Sequence, residues 1–261
     1  MFNSKTPLKV IVLILILSLA LSACGGNNAP ANNDAGNNNN AKDSNNNGSS
    51  AGGDDGGMDM ELSGDFHLDP ALLTEDDTAS LEASAYLYEG LVRMDGGEIV
   101  PGIASSWKVS DDGLTYEFTL RPNAIFSDGT QVTADVVHAN FYRWFDPANA
   151  LHGDSAGYAA WQQYFLGFLG EYNEDGLPTS LFDGAEKVDS LTVLLHLNEP
   201  VDNLLEILSM PQFSMVSPSA LAAGGFGMSA ESIVGSGQFV IVDWSGETLS
   251  LTLSDTYWGN Q

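Results

Sequence analysis

Residues 101–145 read PGIASSWKVSDDGLTYEFTLRPNAIFSDGTQVTADVVHANFYRWF, and their pattern decides the fold. Asp111-Asp112-Gly113 is a strong turn signal, because Asp bonds nearby backbone and Gly takes positive φ without a steric cost. Trp107 to Val109 leads into that turn, and residues 114–120 alternate after it. Tyr116, Phe118 and Leu120 share one side, with Thr115, Glu117 and Thr119 on the other. That period of two predicts a half-buried strand. Arg121-Pro122-Asn123 ends it, since proline offers no N–H to a ladder. Ser127-Asp128-Gly129 is the next turn, and Thr133 is placed to cap a helix with its hydroxyl. Asp135 suits the positive end of the helix dipole. Val136, Val137, Phe141 and Trp144 fall on one helical face, and Asp146-Pro147 stops the helix.

Working outward, residues 58–62 predict a short first strand. Residues 79–89 predict a helix with Leu81, Ala85 and Tyr88 on one face, closed by Gly90. A second hairpin is expected over 186–198, turning at Val188-Asp189-Ser190, with Val193, Leu195 and Leu197 inward. A short amphipathic helix over 201–209 and a buried strand over 213–216 follow, and Ser217-Pro218 opens another helix. Residues 239–244 and 248–253 form a hairpin through Ser245-Gly246-Glu247. Gly235-Ser236-Gly237 precedes it. A phosphate-cradling loop would need a following helix and a lysine, so these glycines are read as serving backbone geometry. The sum is an α/β fold, a mixed sheet with flanking helices.

The 261 residues carry 8 Lys and Arg against 35 Asp and Glu, a formal net charge of −27. Nucleic acid and anionic lipid surfaces both need a basic face, so neither is an expected electrostatic partner. The acids run along the whole chain. They fit selection of cationic ligands, but their spread favours an exported surface kept soluble or adapted to salt or alkaline pH. A hydrophobic fraction of 43% supplies a globular body. The sole cysteine, Cys24, permits no intramolecular disulfide.

Lys5 and Lys9 precede an apolar run at 10–21, too short to span a bilayer and suited to a signal-peptide core. Leu21-Ser22-Ala23-Cys24 resembles the lipobox of bacterial lipoproteins. This implies cleavage after residue 23 and lipidation of Cys24 as a membrane anchor. Residues 24–57, rich in Gly and Asn, cannot bury enough surface to offset ordering entropy and are read as a flexible tether. Residues 58–261 form the body.

The body resembles the extracellular solute-binding proteins of ABC importers, the peptide/nickel-type family 5. The resemblance rests on Trp107, Val109-Ser110-Asp111-Asp112-Gly113, Thr115-Tyr116, Phe118, Leu120-Arg121, Phe126, Asp128-Gly129 and Thr133-Ala134-Asp135-Val136. Leu68-Asp69-Pro70, Tyr88-Glu89-Gly90-Leu91 and Tyr257-Trp258-Gly259 match further elements, and Gln238 departs from a usual proline. The resemblance implies the first lobe of a type II periplasmic-binding-protein fold. It implies capture of oligopeptides or a similar small solute and delivery to a permease and ATPase, from an extracytoplasmic, lipid-anchored position. Family members are longer and two-lobed, so a second lobe is expected elsewhere, including on a separate chain. A lobe without independent binding, serving as a surface scaffold or adhesion lipoprotein, is the alternative.

The resemblance also implies the candidate ligand contacts. Ser63, Asp65 and Phe66 fall in the loop ahead of Leu68-Asp69-Pro70, which lines the cleft in the family or else positions the next helix. Asp65 is suited to pair a peptide amine or to cap a turn. Tyr158 and Trp161 lie in an aromatic stretch that either meets ligand or forms the core face of a helix. His67, His138, His152 and His196 show no paired metal spacing, and no nucleophile elbow occurs. No metal, no cofactor and no enzymatic activity are expected.

Overall fold

The structure is a computed structural model and describes residues 59–260. The leader, Cys24 and the tether lie outside the described residues. The chain runs β1 (Met60–Ser63), α1 (Thr78–Leu87), β2 (Val92–Asp95), β3 (Glu98–Pro101), β4 (Ala104–Val109), β5 (Thr115–Leu120) and α2 (Ala134–Phe145). It continues through α3 (Ala159–Phe165), β6 (Phe182–Lys187), β7 (Thr192–Leu197), α4 (Leu204–Leu208), α5 (Pro218–Ala223), β8 (Phe239–Ser245) and β9 (Thr248–Leu253). Among the described residues, no helix is long and apolar enough to cross a membrane.

The larger core is built on an antiparallel sheet of order β4-β5-β7-β6. Alternation in the central strands sets its inner face. Tyr116, Phe118 and Leu120 of β5 and Val193, Leu195 and Leu197 of β7 are all buried, with Phe118 opposite Val193 and Tyr116 opposite Leu195. Helix α2 lays Val137, Phe141 and Trp144 on this core, while Val136 stays at its edge. Phe182 of β6 closes the contact, its ring centroid 5.3 Å from Phe141 and 5.0 Å from Phe145. Thr133 sits at the helix start in extended backbone, but its hydroxyl caps nothing. Asp135 in the first turn instead accepts the Lys187 ammonium at 2.6 and 2.7 Å.

The smaller core lies between α1 and a three-stranded sheet of order β1-β9-β8. Met60 stands opposite Leu251, so the first strand of the body pairs with its last. The buried face of α1 is Ser80, Ala83, Ser84 and Leu87, whereas Leu81 is half-buried and Ala85 exposed. The expected face was therefore rotated, because small polar residues fill positions where the chain packs closest. Past the helix, Tyr88 is extended and its hydroxyl donates to the Leu68 carbonyl at 2.8 Å.

Two further departures are local. β2 and β3 form a hairpin that turns on Gly96 and Gly97, at φ 58° and 88°. Residues 213–216 are buried but form no strand: a 3-10 turn at Pro211–Phe213 runs into extended chain. Its backbone groups are satisfied from the side. Met215 N–H donates to the Glu89 carbonyl at 2.9 Å, and the Asn140 amide both accepts from Val216 N–H (3.1 Å) and donates to Val216 C=O (2.9 Å). Such partners let a buried segment exist without a ladder.

Candidate functional site

The turn from β1 into α1 lines an open depression of about 640 Å³, bounded by Ser63, Asp65, Phe66, His67, Asp77 and Met228. A neighbouring hollow of about 310 Å³ shares Met228 and is walled by Glu231, Val242, Asp243 and Trp244. The Phe66 ring meets the Trp244 ring edge-on, centroids 6.2 Å apart at 89°. The two aromatics thus separate the hollows and give them an apolar divide.

A bulge puts Trp244 there. Ile241 pairs with Leu251 and Asp243 with Ser250, so Val242 is the extra residue. Trp244 then stands opposite Leu249, on the same side of the sheet as Ile241, and reaches Phe66. Val242 is turned outward and is 61% exposed, and Met228 is 71% exposed. The sequence reading missed Trp244 and Met228. A large ring out of step with an alternating strand was the available signal for the first; Met228 gave none.

The polar rim is acidic. Ser63 and Asp65 are exposed. Asp77 accepts from the Thr74 N–H and hydroxyl, both at 2.7 Å. Those bonds hold its carboxyl below the usual range, with the nearby His67 ring adding to the effect at 3.9 Å. The loop itself is fixed by His67 N–H donating to Ser80 Oγ at 3.1 Å and Ser80 Oγ donating to the Asp65 carbonyl at 3.5 Å. Asp65, Asp76 and Asp77 line the depression, Glu231 and Asp243 the hollow, and neither lining contains Lys or Arg. Carboxylates around an aromatic divide suit a cationic group carried on an apolar body.

Of the sequence-derived contacts, Ser63, Asp65 and Phe66 come together here. Tyr158 and Trp161 do not. Both are fully buried in the larger core, far from any solvent-facing role. Tyr158 stacks on His152 at 4.4 Å and lies under the Arg143 guanidinium at 5.7 Å, and burial pushes its hydroxyl up to about 12. Trp161 donates its indole N–H to the Gly167 carbonyl at 2.9 Å and stacks on Phe165 at 4.3 Å. The aromatic stretch is the core face of a helix, because its rings fill the space between β6 and the 3-10 turn at Pro211–Phe213.

Leu68-Asp69-Pro70 is buried directly behind the depression. Asp69 is gripped by both terminal nitrogens of Arg143, with Nη1 to Oδ1 at 3.1 Å. This element anchors the loop rather than presenting a side chain to solvent.

Comparison with known proteins gives the family. The family model described as bacterial extracellular solute-binding proteins, family 5 Middle, matches residues 98–261. The periplasmic oligopeptide-binding protein OppA of Escherichia coli (strain K12) is 33% identical over 178 residues, covering 67% of this chain and 32% of that protein. Heme-binding protein A of Haemophilus influenzae is 32% identical over 202 residues, 72% of this chain and 35% of that protein. The solved structure of the periplasmic binding protein DppA from Helicobacter pylori, in complex with the peptide STSA, superposes with a TM-score of 0.61 at 27% identity. It covers 76% of this chain and 38% of that one. The chain spans about a third of the length of the curated relatives it matches.

Proposed function

Because the chain belongs to the bacterial extracellular solute-binding proteins of family 5, we propose that it is the substrate-binding lipoprotein of an ABC importer. In this reading it takes oligopeptides or a similar small solute and passes them to a permease driven by an ATPase. Cys24 carries the lipid, residues 24–57 are the leash, and the body works outside the cytoplasm at the membrane. The role involves capture and release and needs no covalent chemistry.

The observation that carries the reading is the convergence of Ser63, Asp65 and Phe66 on one acidic depression, with Trp244 of the adjoining hollow packed edge-on against Phe66. A peptide amine would meet Asp65, and its first side chain would lie along half-buried Trp244, which Phe66 backs from the smaller core. Ligand pockets of this size range combine apolar walls with a few placed polar groups. The depression is one open wall. The short span of the chain relative to its relatives favours a facing wall supplied by a second lobe, on a separate chain or a longer product.

Titration of the full chain with di- to pentapeptides by calorimetry and thermal shift tests this. Saturable stabilisation, weakened by Asp65→Asn and by Trp244→Ala, is the expected result. No shift with any peptide, alone or with a second-lobe polypeptide added, would sink it. The anchor is tested separately: Cys24→Ala should move the protein from the membrane fraction to the soluble one.

A further inference from the structure

Five Lys and Arg residues fall among the described residues, in a strongly acidic chain. Three are spoken for by carboxylates: Lys108 by Glu117, Arg143 by Asp69 and Lys187 by Asp135. The other two, Arg93 and Arg121, have no carboxylate within ion-pair distance among the described residues. They nevertheless line the same cleft, of about 100 Å³, together with Glu89, Asn123, Tyr257 and Trp258.

The cleft is built rather than incidental. Arg121 is locked in place by its Nε donating to the Gly102 carbonyl at 2.8 Å, with its guanidinium 5.7 Å from the centroid of the Trp258 ring. Trp258 is fixed in turn by its indole N–H on the Ser236 carbonyl (3.0 Å) and by Asn123 on its own carbonyl (3.2 Å). Its ring holds the guanidinium as a planar wall whose terminal N–H groups keep unused donor capacity. Arg93 comes from the start of β2, is exposed, and makes no hydrogen bond through its side chain. Glu89 is buried and engaged, accepting the Tyr257 hydroxyl at 2.6 Å, and feels both guanidiniums. One carboxylate against two guanidiniums leaves the cleft one positive charge in excess.

We propose that this cleft is a binding site for a compact oxyanion, a carboxylate or phosphate group held between Arg93 and Arg121. The two forks offer bidentate, charge-assisted bonds, the geometry that such oxygens favour. The volume is well below that of a small-molecule pocket, so the ligand is an ion or the charged end of a larger molecule. The site is independent of the depression described above, lined by different residues and opposite in charge.

The test is thermal shift and calorimetry of the full chain with sodium acetate and with inorganic phosphate, each at fixed ionic strength against chloride. Saturable stabilisation beyond the chloride control is expected, with affinity reduced ~tenfold by Arg93→Gln. Arg93 is exposed and unbonded, so this variant folds normally, and its unchanged melting temperature without anion serves as the check. Arg121→Lys, which keeps the charge and removes the fork, should weaken binding as well. A shift no larger than that of chloride, or one equal in wild type and Arg93→Gln, would overturn the proposal.

Discussion

Arg143 of α2 and Asp69 of the loop before the 3-10 turn at Pro70–Leu72 form a two-bonded ion pair with both side chains buried. The same guanidinium donates through Nε to the Leu151 carbonyl at 3.1 Å and covers the Tyr158 ring. It therefore joins the helix of the larger core to the loop that shapes the depression. Arg143→Met should cost roughly 3–5 kcal/mol, because it strands a buried carboxylate. The double variant Asp69→Leu with Arg143→Met should cost less than that single change. Urea unfolding of the wild type and the two variants checks both statements.

The Gly235-Ser236-Gly237 turn makes a second prediction. A Cβ on Gly235 would sit 2.1 Å from the Leu87 carbonyl oxygen, and one on Gly237 would sit 2.3 Å from that of Tyr86. Those neighbours are backbone at the end of α1 and cannot swing aside. Gly235→Ala and Gly237→Ala should each destabilise by about 1–3 kcal/mol, whereas Gly170→Ala, with nothing near its Cβ, bears only its positive φ of 86°. Thermal melts rank the three.

Glu89 gives a pH dependence. Burial lifts its carboxyl above the ordinary 4.5, although the Tyr257 hydroxyl and the two arginines pull the other way. The folded state therefore holds this proton more tightly than the unfolded chain. Its contribution to stability is most favourable below pH 4.5 and falls as pH rises from 4.5 through the raised value. Glu89→Gln keeps an acceptor for Tyr257 and removes the titration. Its stability curve should be flatter than that of the wild type across that window, as chemical denaturation at a series of pH values would read.

Trp161 and Trp244 should separate stability from binding. Trp161→Ala empties a fully buried site and should cost roughly 3–5 kcal/mol, with peptide affinity unchanged in the fraction that folds. Trp244→Ala removes a half-buried ring from the divide, with a smaller loss of stability and a larger loss of affinity.

What could be read from the chain divides along physical lines. Period-two alternation in residues 115–120 and 192–197 survived into the structure because both strands are central and half-buried on a single face. Helix α2 was equally clear, since its apolar face is made of large residues. Helix α1 was located but turned the wrong way, because its buried face is serine and alanine, which carry no hydropathy signal. The strand expected at 213–216 failed because burial alone does not specify a ladder; the Asn140 amide replaces one, and that contact spans 76 residues. The hairpin at Gly96-Gly97 has its signal in the glycine pair itself, which takes positive φ at both positions. For the candidate site, the loop motif pointed to Ser63, Asp65 and Phe66, which line one depression. Tyr158 and Trp161 were not distinguishable from core by composition, and Trp244 depended on a bulge whose one trace in the sequence is a large ring out of step with its strand.

The pairing of β1 with β9 fixes an order of assembly. Every strand of the four-stranded sheet has emerged once the chain reaches Leu197, and its two hairpins join neighbours in sequence. The three-stranded sheet cannot close until Leu253 is available, and its first strand has to wait unpaired for nearly two hundred residues. During that interval Met60 and Leu62 are an unprotected strand edge, which makes the nascent chain, rather than the finished protein, the species most in need of a chaperone.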